Sequence, residues 1–228
     1  MKAEARSPKS EVRNPKEGRK VLVCFALKQE ARPFRQLVAG RSDARVILVG
    51  MGKRNAERAI RAALAEERPD LVLTCGFAGG LRPDLAMGTV VFAIDPETGL
   101  EPALLAAGAK PARFHCAERV IVTAAEKQAL HESTRADVVE MESEPIRAVC
   151  HQQKIPSATV RVILDTANED LPLDYNQLMT PDQRMSYGKL ALALAKSPGK
   201  VGTLLRLQKH AAAAASKLAE VLARITAA

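Results

Sequence analysis

The sequence has no tryptophan, and aromatic residues fill only 3% of its 228 positions. Aliphatic side chains must therefore build the core, and the interleaved basic and aromatic residues of an RNA or DNA platform are missing. No run of about 18 apolar residues occurs, so no membrane-spanning helix is expected. The opening MKAEARSPKSEVRNPKEGRK is charged but lacks an apolar stretch, and does not read as a secretory signal. The four cysteines, Cys24, Cys75, Cys116 and Cys150, are widely spaced with no CxxC pair, and the four histidines are equally scattered. Neither set has zinc-ligand spacing, so no metal is expected, and no cofactor either. Three of the cysteines lie in or beside apolar runs, which fits buried, reduced thiols in a cytoplasmic protein.

What is present is ordinary for a soluble globular chain: 47% hydrophobic and 26% charged residues. The length suits one sizeable core. The net charge of +8 is confined to the ends: residues 1–20 carry +4 and residues 189–228 carry +6, which leaves −2 for 21–188. A basic tail can touch an anionic surface, but a slightly acidic body argues against nucleic acid as the partner. Residues 1–19, polar and without periodicity, read as a disordered basic tail, and residues 20–228 as a single domain.

Apolar runs of strand length alternate with helical spacing. VLVCFAL (21–27), ARVILVG (44–50) and DLVLTCGFAGGL (70–81) read as strands separated by the helical segments KQEARPFRQLVA and KRNAERAIRAALAEE. Unbroken apolar strands of this kind predict a three-layer α/β fold, with a mostly parallel central mixed sheet flanked by helices. Further strands are predicted at 88–94, 119–123, in ADVVEM from 136, and at 157–167. Residues 95–117 and EDLPLDYNQLMTPD read as irregular. The last forty residues read as helical, and VGTLLRLQKHAAAAASKLAEVLARI as one long amphipathic helix.

Ligands of such sheets bind outside the carboxyl ends of the strands. Those ends present Leu27 to Glu30, the turn Gly50-Met51-Gly52, the cluster Gly76-Phe77-Ala78-Gly79-Gly80, the pair Glu140 and Glu142 around Met141, and Asp165. Each has a plain alternative. Gly50-x-Gly52 lacks the third glycine of a dinucleotide fingerprint and is either a tight turn or an anion-facing turn. Glu30 and Glu142 could be first-turn helix acids, and Asp165 an N-cap. Their convergence on one edge of the sheet is what favours a site.

The segments FALKQEARPF (25–34), VGMGKRNA (49–56), TCGFAGGL (74–81), VVEMES (138–143) and RVILDTANEDLP (161–172) resemble, in order, those of the purine nucleoside phosphorylase and methylthioadenosine nucleosidase superfamily. TAAEKQAL followed by VEMES resembles its hopanoid-associated branch, which is implied to cleave adenosylhopane. The resemblance implies cleavage of a purine nucleoside, a small-molecule partner, at its N-ribosidic bond. It places Glu30 where a carboxylate activates water, Met141 and Glu142 at the ribose, and Asp165 where an acid protonates the purine at N7. Leu27, Phe77, Gly79, Gly80 and Glu140 are expected beside them. It also implies a homodimer or higher homo-oligomer.

The chemistry is consistent. The reaction passes through an oxocarbenium-like state, and the base leaves poorly unless protonated, so Asp165 needs a pKa raised by burial. Two departures stand out. Leu164 replaces the hydroxyl residue that many relatives carry before the acid, and the 95–137 segment looks shorter. Where phosphorylases carry an arginine on the third strand, this chain has Thr74. Inorganic phosphate, if used, would have to rely on Gly50 and Gly52 with Lys53, Arg54 or Arg32. Glu30 favours water as the nucleophile and hence hydrolysis, with phosphorolysis and a degenerate nucleoside-binding protein as the alternatives.

Overall fold

A computed structural model of the chain describes residues 19–183, 186, 188–189, 191–192, 199 and 201–227. The expected tail over residues 1–19 lies outside these except for Arg19, which donates to Thr98 O at 2.9 Å. Much of the expected helical stretch from 189 to 200 also lies outside them.

The strands are β1 (Val21–Phe25), β2 (Ala44–Leu48), β3 (Leu71–Gly80), β4 (Val90–Ile94), β5 (Lys110–Pro111), β6 (Phe114–Cys116), β7 (Val138–Glu140) and β8 (Ser157–Asp165). The helices are α1 (Lys28–Leu37), α2 (Lys53–Glu66), α3 (Glu101–Ala106), α4 (Ala124–Thr134), α5 (Ser143–Gln152), α6 (Tyr175–Leu178) and α7 (Val201–Thr226). One sheet runs β2-β1-β3-β8-β4-β5, and β7 pairs with both β3 and β6. β1, β2, β3 and β8 are mutually parallel. β4 runs antiparallel to β8, and β7 antiparallel to the end of β3. The mixed, mostly parallel sheet is the one expected.

The two-faced burial is visible in β1. Val21, Val23 and Phe25 face a core shared with Phe34 of α1 and with Leu218, Leu222 and Ile225 of α7. Leu22 and Cys24 face Ile60 and Leu64 of α2 and Ile146 and Val149 of α5. Alternation along an extended strand, with no polar position on either side, demands a helical layer on each face. Each fully buried aliphatic side chain here contributes about 1.5–3 kcal/mol. Cys24, Cys75 and Cys150 are buried free thiols, and Cys116 is half-buried.

Three expectations fail. Residues 119–123 are not a strand. The Val120 backbone satisfies its donor and acceptor on the side-chain amide of Asn176, at 2.9 Å each, and Val122 O accepts from Leu171 N at 2.8 Å. With these groups paired locally, no ladder is needed. Val120 and Ile121 are apolar because they wall a cavity. Nor is 95–117 irregular: it holds a 3₁₀ turn (Pro96–Thr98), α3, β5 and β6. The segment 169–182, expected as loop, contains the short α6.

α4 begins with a reciprocal cap, Thr123 Oγ1 accepting from Glu126 N and Glu126 Oε2 accepting from Thr123 N. Its first turn is tied to the stretch that follows β8, where Asp170 Oδ1 accepts from Ala124 N at 2.7 Å.

Candidate active site

Glu30 occupies the third position of α1, and its carboxylate reaches back to the helix start. Oε2 accepts from Leu27 N at 2.8 Å, and Oε1 from Phe77 N at 2.9 Å. The acid thus joins the first turn of α1 to β3. Burial raises its pKa, while nearby Arg161 and the backbone donors oppose the rise. Gly76, at φ 143°, makes room for this: a Cβ there would stand 2.7 Å from Glu30 Oε1 and 2.9 Å from Arg161 Nη1. Gly76→Ala is therefore expected to displace both groups and to add backbone strain of about 1–3 kcal/mol. Thermal melting together with base release by the variant measures both effects.

β7 stops at Glu140, and Glu142 holds the N-cap position of α5 without a side-chain cap bond. The two carboxylates do not form an equal pair. Glu140 Oε2 accepts from Glu142 N and Ser143 N, each at 2.8 Å, and Oε1 from Ser143 Oγ at 2.6 Å. It serves the N-terminus of α5, where an anion is favoured. Glu142 Oε1 accepts from Gly52 N at 2.9 Å. Between them lies Arg161 Nη2, 2.7 Å from Glu140 Oε2, 3.2 Å from Glu142 Oε2 and 3.2 Å from Thr74 Oγ1. Burial works against the Arg161 charge, but Glu140, Glu142 and Glu30 more than offset it and raise its pKa. Glu142 is raised by burial and by Glu140 and Glu30, against Arg161 and the Gly52 amide.

Sequence reading missed Arg161, although one signal was available. A lone charge inside the apolar run of β8, SATVRVILD, requires buried partners. Its guanidinium reaches Thr74 Oγ1 on the neighbouring strand β3.

Asp165 ends β8. A register shift at Ala78/Gly79 sets Gly79 opposite it. A Cβ on Gly79 would lie 3.2 Å from Asp165 Oδ2 and 3.1 Å from Val139 Cγ1, so glycine allows the close approach. Burial raises the Asp165 pKa, and Lys127 opposes the rise. Lys127 also escaped the sequence reading: it is fully buried in α4 with Nζ 2.6 Å from Asp165 Oδ2.

A single cavity of about 1030 Å³ is lined by Leu27, Glu30, Phe77, Gly79, Glu140, Met141, Glu142, Arg161, Leu164 and Asp165. It extends past Val120 and Ile121 to Arg32 and Pro33 of α1 and to Leu204, Leu207 and Ala211 of α7. The structure brings together both expected catalytic acids and most of the expected binding residues. Gly80 is not in the lining; a Cβ there would face the main-chain oxygen of Asp165 at 3.4 Å. Of the expected anion turn, Met51 reaches the cavity, but Gly50, Gly52 and Arg54 do not line it. The Gly52 amide is committed to Glu142, Arg54 is exposed, and Lys53 is paired with Glu118 and Glu144. Among the described residues, no cluster of His, Cys, Asp and Glu could hold a metal ion, and no helix is long and apolar enough to cross a membrane.

Carboxylates with separate partners thus gather around one cavity beside the carboxyl edge of an α/β sheet, where ligands of such folds bind. Residues 26–106 and 107–196 match the phosphorylase superfamily, and the chain belongs to that family. The 5′-methylthioadenosine/S-adenosylhomocysteine nucleosidase of Anoxybacillus flavithermus is 25% identical over 210 residues, covering 70% of this chain and 90% of the relative. That of Shewanella loihica is 27% identical over 184 residues, covering 63% and 79%. Among solved structures, the corresponding nucleosidase of Helicobacter pylori with butyl-thio-DADMe-Immucillin-A has a TM-score of 0.68 at 16% identity, covering 91% of this chain and 97% of that one. The futalosine hydrolase of the same organism has a TM-score of 0.67 at 14% identity, with the same coverage. These structural likenesses establish the fold.

Proposed function

We propose that this chain hydrolyses the N-ribosidic bond of a purine nucleoside of the adenosyl type. The carrying observation is that Asp165 and Glu30, two buried carboxyls with raised pKa and different partners, line one cavity together with Glu142. In this reading Asp165 gives its proton to N7 of the base, the C1′–N9 bond breaks, and its electron pair goes to the purine. Glu30 accepts a proton from the water that bonds to C1′. Glu142 holds the ribose hydroxyls and opposes the developing positive charge, and Met141 packs on the sugar. Acids with environments this different are how one site runs acid and base chemistry near neutrality.

Water is favoured over phosphate by how the buried cation is used: the Arg161 guanidinium is already paired with Glu140 and Glu142 and is not free for a second anion. The glycine turn offers no spare amide at Gly52. Base release from a nucleoside panel, with and without inorganic phosphate, tests this: the same rate is expected in both. Strict phosphate dependence would establish the phosphorylase alternative, and no turnover on any nucleoside the degenerate binder.

The cavity volume lies at the upper end of ordinary small-molecule pockets, and the apolar wall from α7 extends beyond the acids. That supports a bulky apolar 5′ substituent, in keeping with the adenosylhopane branch. Nucleosides with progressively larger 5′ alkyl groups are expected to show falling KM. The same rests for compartment and assembly on the family resemblance: a cytoplasmic homo-oligomer.

A further inference from the structure

The Asp165 carboxyl has an unusual neighbour. Lys127 is fully buried on the first turn of α4, and its ammonium has three acceptors arranged around it. Asp165 Oδ2 lies at 2.6 Å, and the main-chain oxygens of Thr166 and Glu169 at 2.7 Å each. All three donors of the ammonium are therefore used, and none remains for a ligand. Asp165 and its partner oxygens belong to the end of β8 and the turn after it. That turn is held to α4 by further bonds, Asp170 Oδ1 with Ala124 N and Leu171 N with Val122 O. Among the described residues, Asp165 Oδ1 has no such commitment.

We infer that Lys127 is a positioning residue for the leaving-group acid: its ammonium fixes Asp165 Oδ2, presents Oδ1 to the purine, and stabilises the carboxylate left when the proton is given up. This rests on the proposed nucleoside cleavage. In the step concerned the Oδ1–H bond breaks, N7–H forms, and the electron pair stays on Asp165, facing the ammonium. A charge-assisted contact this short is about twice as strong as a neutral one, and Lys127 makes it from a fully buried position.

The other groups facing Asp165 are few. Glu169 lies on the following turn and opposes ionisation, and Tyr175 of α6 senses the Asp165 charge. His210 of α7 faces Glu169. Lys127 supplies the cation that acts directly on the acid. Its removal is therefore expected to load the proton more tightly and deliver it less well.

The test is the pH dependence of kcat/KM for adenine release by wild type, Lys127→Gln and Lys127→Arg. In the glutamine variant the alkaline limb should move up by about one pH unit or more, and kcat at neutral pH should fall about 10- to 100-fold with KM little changed. Lys127→Arg keeps the charge and should keep the limb of the wild type. A nitrophenyl riboside, whose leaving group needs no proton, should lose far less rate than adenosine in Lys127→Gln. A glutamine variant with the wild-type limb and equal losses on both substrates would reduce Lys127 to a structural tie and overturn the inference. Lys127→Met serves in its place if the glutamine variant does not fold. Failure of wild type to release any base would instead sink the nucleosidase reading, so the two failures are distinguishable.

Discussion

Asp165→Asn is expected to lower the rate of base release by about 10²–10⁴-fold, the usual worth of a positioned general acid. The amide keeps the shape of the carboxyl and its place opposite Gly79. It cannot transfer a proton to the purine, so the C1′–N9 bond must break with the base leaving as an anion. Ligand affinity should survive, because the proposed ribose-holding group is a different residue, Glu142. The variant carries a stability effect of its own, since the Lys127 ammonium loses its ionic partner and keeps only neutral acceptors, the two main-chain oxygens and the amide oxygen. Calorimetric binding of a nucleoside alongside turnover separates these effects. Wild-type turnover in Asp165→Asn would remove Asp165 from the mechanism.

Arg161→Met should have the largest effect on stability. Removing one member of a buried ionic network while leaving the others costs about 3–5 kcal/mol, and here Glu30, Glu140 and Glu142 would all remain. The pH dependence gives the effect a signature. Glu30 and Glu142 already have folded-state pKa values above their ordinary 4.5. A raised carboxyl favours the folded state fully below its unfolded value and loses that contribution as pH rises through the folded value. Without Arg161 the folded values climb further, so the variant should regain stability on acidification from pH 8 toward pH 5, relative to wild type. Urea unfolding at a series of pH values measures this. A pH-independent deficit would mean that lost packing, not unpaired charge, is responsible.

The sheet was legible because parallel strands covered on both faces are apolar at most positions, and that pattern has few other sources. The same rule misled at 119–123, where Val120 and Ile121 are apolar for the sake of a cavity wall and the backbone is satisfied by Asn176. Three acids of the site could be placed because each sits at the end of a readable element. The cations could not. Arg161 reads as one interruption in a strand, and the acceptors of Lys127 include main-chain oxygens 39 and 42 residues away. No side-chain pattern encodes such partners. The unequal roles of Glu140 and Glu142 likewise follow from the ending of β7 one residue before Met141, a boundary that local spacing does not mark.

Glu30 receives two main-chain donors, one from the entry to α1 and one from β3. A residue that welds two elements and is also the proposed base cannot be exchanged independently in laboratory evolution. Glutamine offers one acceptor oxygen for two N–H groups, and alanine offers none, so either change imposes a folding defect along with any change in chemistry. Selection for a new nucleophile would therefore have to pass through a poorly expressed intermediate, or first install a compensating acceptor near Phe77. The apolar wall from α7 has no such double duty, so specificity for the 5′ substituent should diversify much faster than the reaction itself.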